Sequence, residues 1–195
     1  MNRLLAFVIV TCSITFPLGL CGGCDEAEEI VMTPEGTFTP SYLKGREVAG
    51  QYAAGELPDY AVVWSLYETR SSLRDDFLEG FAEGLNKAGA GNSAADFCEI
   101  LRDSMSGNQF ETARDLGTKH AAAALTNEQI QGTIHSSLGV SRGVALGWKA
   151  GYIKGFAAQR IADTAASGTV GQSRMRYLRA EAATTYNALR ASIGP

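Results

Sequence analysis

A glycine recurs at every fourth position from Gly143 through Gly147 and Gly151 to Gly155, inside a stretch whose remaining residues pattern as a helix. Each glycine in a helix interior costs about 0.5–1 kcal/mol relative to alanine. Four in one helix are sustainable only where the missing side chains are put to use. At roughly 100° per residue they trace a slowly drifting groove along one side. Trp148, Tyr152 and Phe156 form a ridge beside it, and Arg142, Lys149 and Arg160 fall on a face away from it. The pattern predicts a helix that admits a neighbouring backbone at the groove while its aromatic residues bury large area alongside.

The same pattern occurs earlier in the chain. Phe77-Leu78-Glu79-Gly80-Phe81-Ala82-Glu83-Gly84-Leu85 matches Trp148 to Phe156 in the form aromatic-x-x-Gly-aromatic-x-x-Gly-apolar, at an offset of 71. At that offset Val63 meets Ile134 and Tyr67 meets Leu138, while Gly45 meets Gly117 one residue out of register. Two three-helix units are therefore expected, over 41–89 and 108–165, with 94–105 as connector and 172–192 as a terminal helix. The groove residues Phe77, Gly80, Phe81, Gly84, Gly143, Gly147, Trp148, Gly151, Tyr152, Gly155 and Phe156 serve either internal helix packing or an exposed face for a partner or a second copy.

After residue 40 nothing alternates with the period of a strand, and helix boundaries are plentiful. Thr39-Pro40 reads as a cap followed by proline at the first helical position. Ser72 to Asp75, Ser93 to Asp96 and, best, Thr126 to Gln129 have the spacing of capping boxes. Gly89, Gly107 and Gly139 follow helical stretches where a left-handed stop is expected. These signals predict an all-α domain over 41–195, with helices near 41–55, 59–70, 73–88, 94–105, 108–124, 127–138, 142–165 and 172–192.

The chain before Ser41 reads differently. Met1-Asn2-Arg3 is a short positive start, and Leu4 to Phe16 is an apolar run too short to span a bilayer comfortably. Leu18-Gly19-Leu20-Cys21-Gly22-Gly23-Cys24 then resembles the end of a bacterial lipoprotein signal peptide, in which a small residue precedes the cysteine that receives diacylglycerol. The resemblance extends from Met1 to Cys24 and no further. It implies a signal peptide over 1–23 and lipidation at Cys24, which follows the small Gly23; Cys21, with Leu18 three residues ahead, is the alternative. An ordinary secretory signal cut nearby would leave a soluble periplasmic or secreted protein. Asp25, Glu26, Glu28 and Glu29 come next, and Thr33 to Pro40 reads as an extended spacer, so 24–40 is expected to act as a tether. The full chain carries a net charge of −4, and removal of Arg3 with the signal would make it −5. Such a chain has no electrostatic draw toward anionic lipid, so membrane attachment would be covalent.

The sequence offers no constellation that names a reaction. His120 and His135 are the only histidines and lack metal-ligand spacing, so no metal and no cofactor is expected. Asp96, Glu99 and Asp103 read as a solvated acidic face, and lone Cys98 as a small buried hydrophobe. No basic patch with interleaved aromatics suggests nucleic acid. The basic segment Arg174 to Arg179 is expected to dock on the domain, its arginines answering the acidic 94–105 face, or to meet an anionic envelope polymer or phospholipid. The resulting expectation is an exported, lipid-anchored helical protein of the cell envelope with a noncatalytic binding or structural role. Its partners would be the membrane, through the lipid, and another envelope protein or a second copy. The alternatives are a periplasmic carrier holding an apolar ligand between Phe77, Phe81, Trp148 and Tyr152, and an envelope enzyme using His120 or His135.

Overall fold

The computed structural model describes residues 30–33, 36–90, 93–136 and 139–193. The signal segment 1–23, Cys21, Cys24, the acidic run 25–29 and Leu138 lie outside the described residues. Among the described residues a short antiparallel hairpin, β1 (Val31–Thr33) with β2 (Gly36–Phe38), leads into eight α-helices. These are α1 (Pro40–Ala53), α2 (Asp59–Glu68), α3 (Arg74–Lys87), α4 (Ser93–Ser104), α5 (Gln109–Ala121), α6 (Asn127–Ser136), α7 (Arg142–Ala165) and α8 (Gln172–Ala191). The fold is all-α, and none of the described helices is long and apolar enough to cross a membrane.

Local chemistry accounts for most boundaries. Thr39 accepts a hydrogen bond from the Tyr42 backbone N–H, with Pro40 opening α1. At α6 the capping box closes in both directions: Thr126 N–H donates to Gln129 Oε1 at 3.0 Å, and Gln129 N–H donates to Thr126 Oγ1 at 3.3 Å. Gly89, Gly107 and Gly139 all take positive φ, at +88°, +63° and +92°. Ser72 does not cap α3; it lies within a short 3-10 turn, Ser71–Leu73, and the residue preceding α3 is Leu73 without a side-chain cap. Within the expected spacer, residues 31–33 pair with 36–38 as the hairpin, and Phe38 stacks on Tyr42 at 4.7 Å between ring centroids.

The glycines explain how the helices pair. A Cβ on Gly80 would strike the carbonyl of Tyr42 in α1, and one on Gly151 the carbonyl of Phe110 in α5. Likewise Gly84 faces Arg46 and Ala49, and Gly155 faces Arg114 and Thr118. The two aromatic–glycine helices thus do the same work in separate pairs: α3 lies against α1, and α7 against α5. The groove of α7 is longer, and its first two glycines, Gly143 and Gly147, receive the end of α4 at Ile100, Asp103 and Ser104. Backbone replaces side chain at nearly all of these crossings.

The contacts also correct the register of the internal likeness. Tyr42 and Phe110 correspond at an offset of 68, as do Arg46 and Arg114, and so do the buried pairs Val62/Ile130 and Leu66/Ile134 of α2 and α6. Only α3 and α7 match at 71. The chain takes nine steps from Glu68, the end of α2, to Phe77, but twelve from Ser136, the end of α6, to Trp148. One offset therefore cannot serve all three helices. Gly45 corresponds to Ala113, and Gly117 to Ala49; the glycine and alanine of the first helix are exchanged by one turn. The pairings Val63/Ile134 and Gly45/Gly117 read from the sequence are not the geometric ones.

Two core clusters follow from this arrangement. The first draws on α1 to α4, with Phe110, Leu146 and Ala150 joining from α5 and α7; the second draws on α5 to α8. The fourth helix of each set adds an aromatic in the same place: Phe97 of α4 packs on Phe81, and Tyr186 of α8 on Tyr152. Helix α4 is thus a core helix rather than a mere connector. Tyr60 and Trp64 of α2 pack against both clusters, and the Trp64 indole N–H donates to the Ala150 carbonyl at 2.7 Å. That bond fixes α2 across the junction onto α7.

Candidate functional site

The junction of the two clusters leaves a cleft in the surface, with two adjoining lobes that share Phe97 and Ile100 of α4 and Arg142 at the start of α7. One lobe, of about 450 Å³, runs over Tyr52, Leu85, Ala88, Ala90 and Asp96. The other, of about 470 Å³, is bordered by Asp59, Val140, Ala145, Leu146, Lys149 and Arg190. Each volume lies in the range of small-molecule sites. The elements set the chemistry of each wall. Helix α4 buries Ala94, Cys98 and Leu101 toward the first core, which leaves Phe97 and Ile100 half-buried on the cleft side. Phe97 is held there by stacking on Tyr52 at 4.9 Å.

Charge is distributed unevenly around the cleft. Lys149 lies 3.4 Å from Asp59 and 5.7 Å from the centre of the Tyr60 ring, so its charge is largely answered. Burial raises the Tyr186 pKa and the nearby Arg190 pulls it down, and neither Arg190 nor Arg142 has a carboxylate partner among the described residues. Arg142 occupies the first position of α7, whose first turn holds no acidic residue. A cation there opposes the helix dipole. Ser141 caps this end, and Asp103 of α4 accepts a hydrogen bond from the Ser141 hydroxyl on the flank. Burial chiefly, and then the Asp59 charge, raise the pKa of Tyr52 above its ordinary value, while Arg142 pulls it down.

The groove residues singled out from the sequence are elsewhere, inside the protein. Gly80, Gly84, Gly143, Gly147, Gly151 and Gly155 are the close-approach points described above. Phe77, Phe81 and Tyr152 are fully buried, and Trp148 and Phe156 nearly so, in the two core clusters. Phe77, Phe81, Trp148 and Tyr152 are therefore packed core and not the walls of an apolar chamber. The α7 groove is filled by α4 and α5, which leaves it closed to an outside helix.

The histidines are also separated, His120 on α5 and His135 on α6. His120 holds both ring nitrogens in protein contacts: Nε2 with Asn127 Oδ1 at 3.1 Å, and Nδ1 with the buried Tyr152 hydroxyl. If Nε2–H donates to Asn127, Nδ1 accepts from Tyr152, which is the neutral tautomer. Desolvation accordingly lowers the His120 pKa. His120 corresponds to Tyr52 at the register of the first helices, and both cover the central aromatic of the partner helix, Tyr152 and Phe81. That position makes His120 a packing residue with a polar handle. Cys98 is buried and its thiol pKa is raised, mainly by desolvation. Among the described residues no group of three or more His, Cys, Asp or Glu is arranged to hold a metal.

The basic stretch of α8 does not answer the acidic face of α4. Arg179 lies over the Trp64 ring at 5.7 Å, Arg174 over Tyr177 at 4.7 Å, and Arg190 borders the cleft. Among the described residues, an ion pair of Arg160 with Glu181 at 3.6 Å joins α8 to α7. The sequence places Arg142 and Lys149 on one face but does not single out Asp59, Tyr52, Phe97, Ile100 or Val140. The one available signal was Arg142 itself, a cation at the wrong end of a helix. Searches of protein-family models, curated proteins and solved structures find no match to this chain.

Proposed function

We propose that this chain is an exported, lipid-anchored protein of the cell envelope that works by noncatalytic binding, with the cleft at the junction of its two helical units as the binding surface. The cleft is the observation that carries this reading. It combines half-buried apolar side chains with two arginines that have no carboxylate partner among the described residues, and the α4 and α7 walls are fixed against each other by backbone-to-glycine contacts. A stiff frame holding a few polar groups over an apolar floor suits recognition, since little conformational entropy is lost when a partner seats.

The tether supports the same reading. Cys24 precedes the first strand by seven residues, a reach of roughly 25 Å when extended. An acylated Cys24 would keep the hairpin close to the bilayer, and Ile30 and Met32 at that end are exposed apolar side chains. Fractionation of cells producing the native chain and Cys24→Ser tests the proposal. The native protein is expected in the membrane fraction, resistant to a high-salt wash, and the variant in the soluble fraction. Native protein in the soluble fraction would refute the tether.

A further inference from the structure

We infer that the cleft binds a single-chain amphipathic anion, with the anionic head between Arg142 and Arg190 and the apolar chain lying across Phe97 and Ile100 toward Leu85. This assignment rests on the binding role proposed above and names the class of ligand. Four observations lead to it.

The first is the balance of charge. The protein is acidic overall, with net charge −4, yet the lobe beside α8 gathers Arg142, Lys149 and Arg190 against the single carboxylate of Asp59. Lys149 answers Asp59 at 3.4 Å. The two arginines remain, and a guanidinium beside a partly apolar surface favours carboxylate or phosphate oxygens through charge-assisted hydrogen bonds. The second is the placement of Arg142. It opens the long helix α7, where it opposes the dipole, and its exposed side chain makes no ion pair among the described residues. Asp103 already faces the positive end of α7 through Ser141, so an anion at this point would gain from the arginine itself.

The third is the pair of apolar side chains common to both lobes. Phe97, Ile100 and Arg142 line both lobes, so a chain leaving the arginines would cross Phe97 and Ile100 on its way to Tyr52, Leu85 and Ala88. Asp96 stands on the rim of that second lobe and disfavours a second anionic group there. That points to one head and one tail. The fourth is Val140, which is 43% exposed at the cleft wall and is one of the few large apolar residues on the described surface. A bound alkyl chain would cover it.

The test uses the mature chain with Cys24→Ser, which carries no acyl group and keeps every contact described above, all within residues 30–193. Dodecanoate is titrated below its micelle concentration by calorimetry, with dodecanol and dodecyltrimethylammonium as uncharged and cationic counterparts. Saturable binding of dodecanoate at one site is expected, with dodecanol about tenfold weaker, the factor corresponding to one lost charge-assisted hydrogen bond. The double variant Arg142→Gln, Arg190→Gln should weaken dodecanoate about tenfold or more and leave dodecanol unchanged. Val140→Asp, at an exposed wall position, should weaken both, and circular dichroism checks that each variant keeps its helices. Absence of saturable binding, equal affinity for the three amphiphiles, or indifference to the arginine substitutions would overturn the assignment. None of these results bears on membrane fractionation of the acylated protein, so the ligand and the tether fail separately.

Discussion

Replacing Gly151 by alanine adds one methyl group, and the structure gives the cost of placing it. The new Cβ would run into the carbonyl oxygen of Phe110, and would lie 3.0 Å from its carbonyl carbon and 3.1 Å from the Ala113 Cβ. These are mostly atoms of the α5 backbone, which cannot swing aside as a side chain can, so α5 and α7 must part. Overpacking of this kind costs about 1–3 kcal/mol. Against it stands the gain of about 0.5–1 kcal/mol for exchanging glycine for alanine in a helix. The net expectation is a loss of roughly 1–2 kcal/mol. The same substitution at Gly50 in α1 or Gly132 in α6 provides the internal control, because a Cβ at either position meets nothing within 4 Å. There only the gain remains, about 0.5–1 kcal/mol. In a domain of this size each kcal/mol moves the midpoint by about 2–4 °C. Thermal and urea unfolding followed by helical circular dichroism should show Gly151→Ala melting several degrees lower and both controls melting slightly higher. If Gly151→Ala were as stabilising as Gly50→Ala, the close approach of α5 to α7 would be wrong, and with it the packing scheme.

Other consequences are equally open to measurement. Trp64→Phe removes the indole donor to the Ala150 carbonyl and should cost about 1–2 kcal/mol in urea unfolding by loosening the junction; an unchanged midpoint would count against α2 as the fastening element. His120 has a folded-state pKa below its ordinary 6.5, so below that pH the unfolded chain takes up the proton first. Stability is therefore whole above about pH 6.5 and falls as the pH drops toward the folded-state value. Urea midpoints compared with His120→Gln should show this loss in the native chain alone. The Cys98 thiol, buried and with its pKa raised, should resist alkylation by iodoacetamide in the native protein and react once urea unfolds it, as read by peptide mass spectrometry. Rapid native labelling would contradict its burial.

Much of the fold was legible because the chain marks it locally. The Thr39-Pro40 cap, the Thr126–Gln129 box and the three left-handed glycines act within a few residues, and the helices start and stop where they indicate. The aromatic–glycine stripes were legible as packing surfaces, since only close approach compensates for glycine at four-residue spacing. Their partners were not legible. Nothing in residues 143–155 says that α4 and α5 fill the groove in succession, or that α3 takes α1 and not α7. The register of the two units was misread because the path from Ser136 to Trp148 is three steps longer than that from Glu68 to Phe77, which shifts α7 relative to the helices before it. The cleft was hidden for a related reason. Asp59, Phe97, Arg142 and Arg190 come from four helices far apart in sequence, and each alone reads as an ordinary surface or core residue.

The proposed export and tether are tested most directly by the intact mass of the mature protein recovered from membrane and soluble fractions. A chain beginning at Cys24, bearing the added mass of acyl groups and confined to membranes, is expected. A chain without acyl mass in the soluble fraction would contradict it.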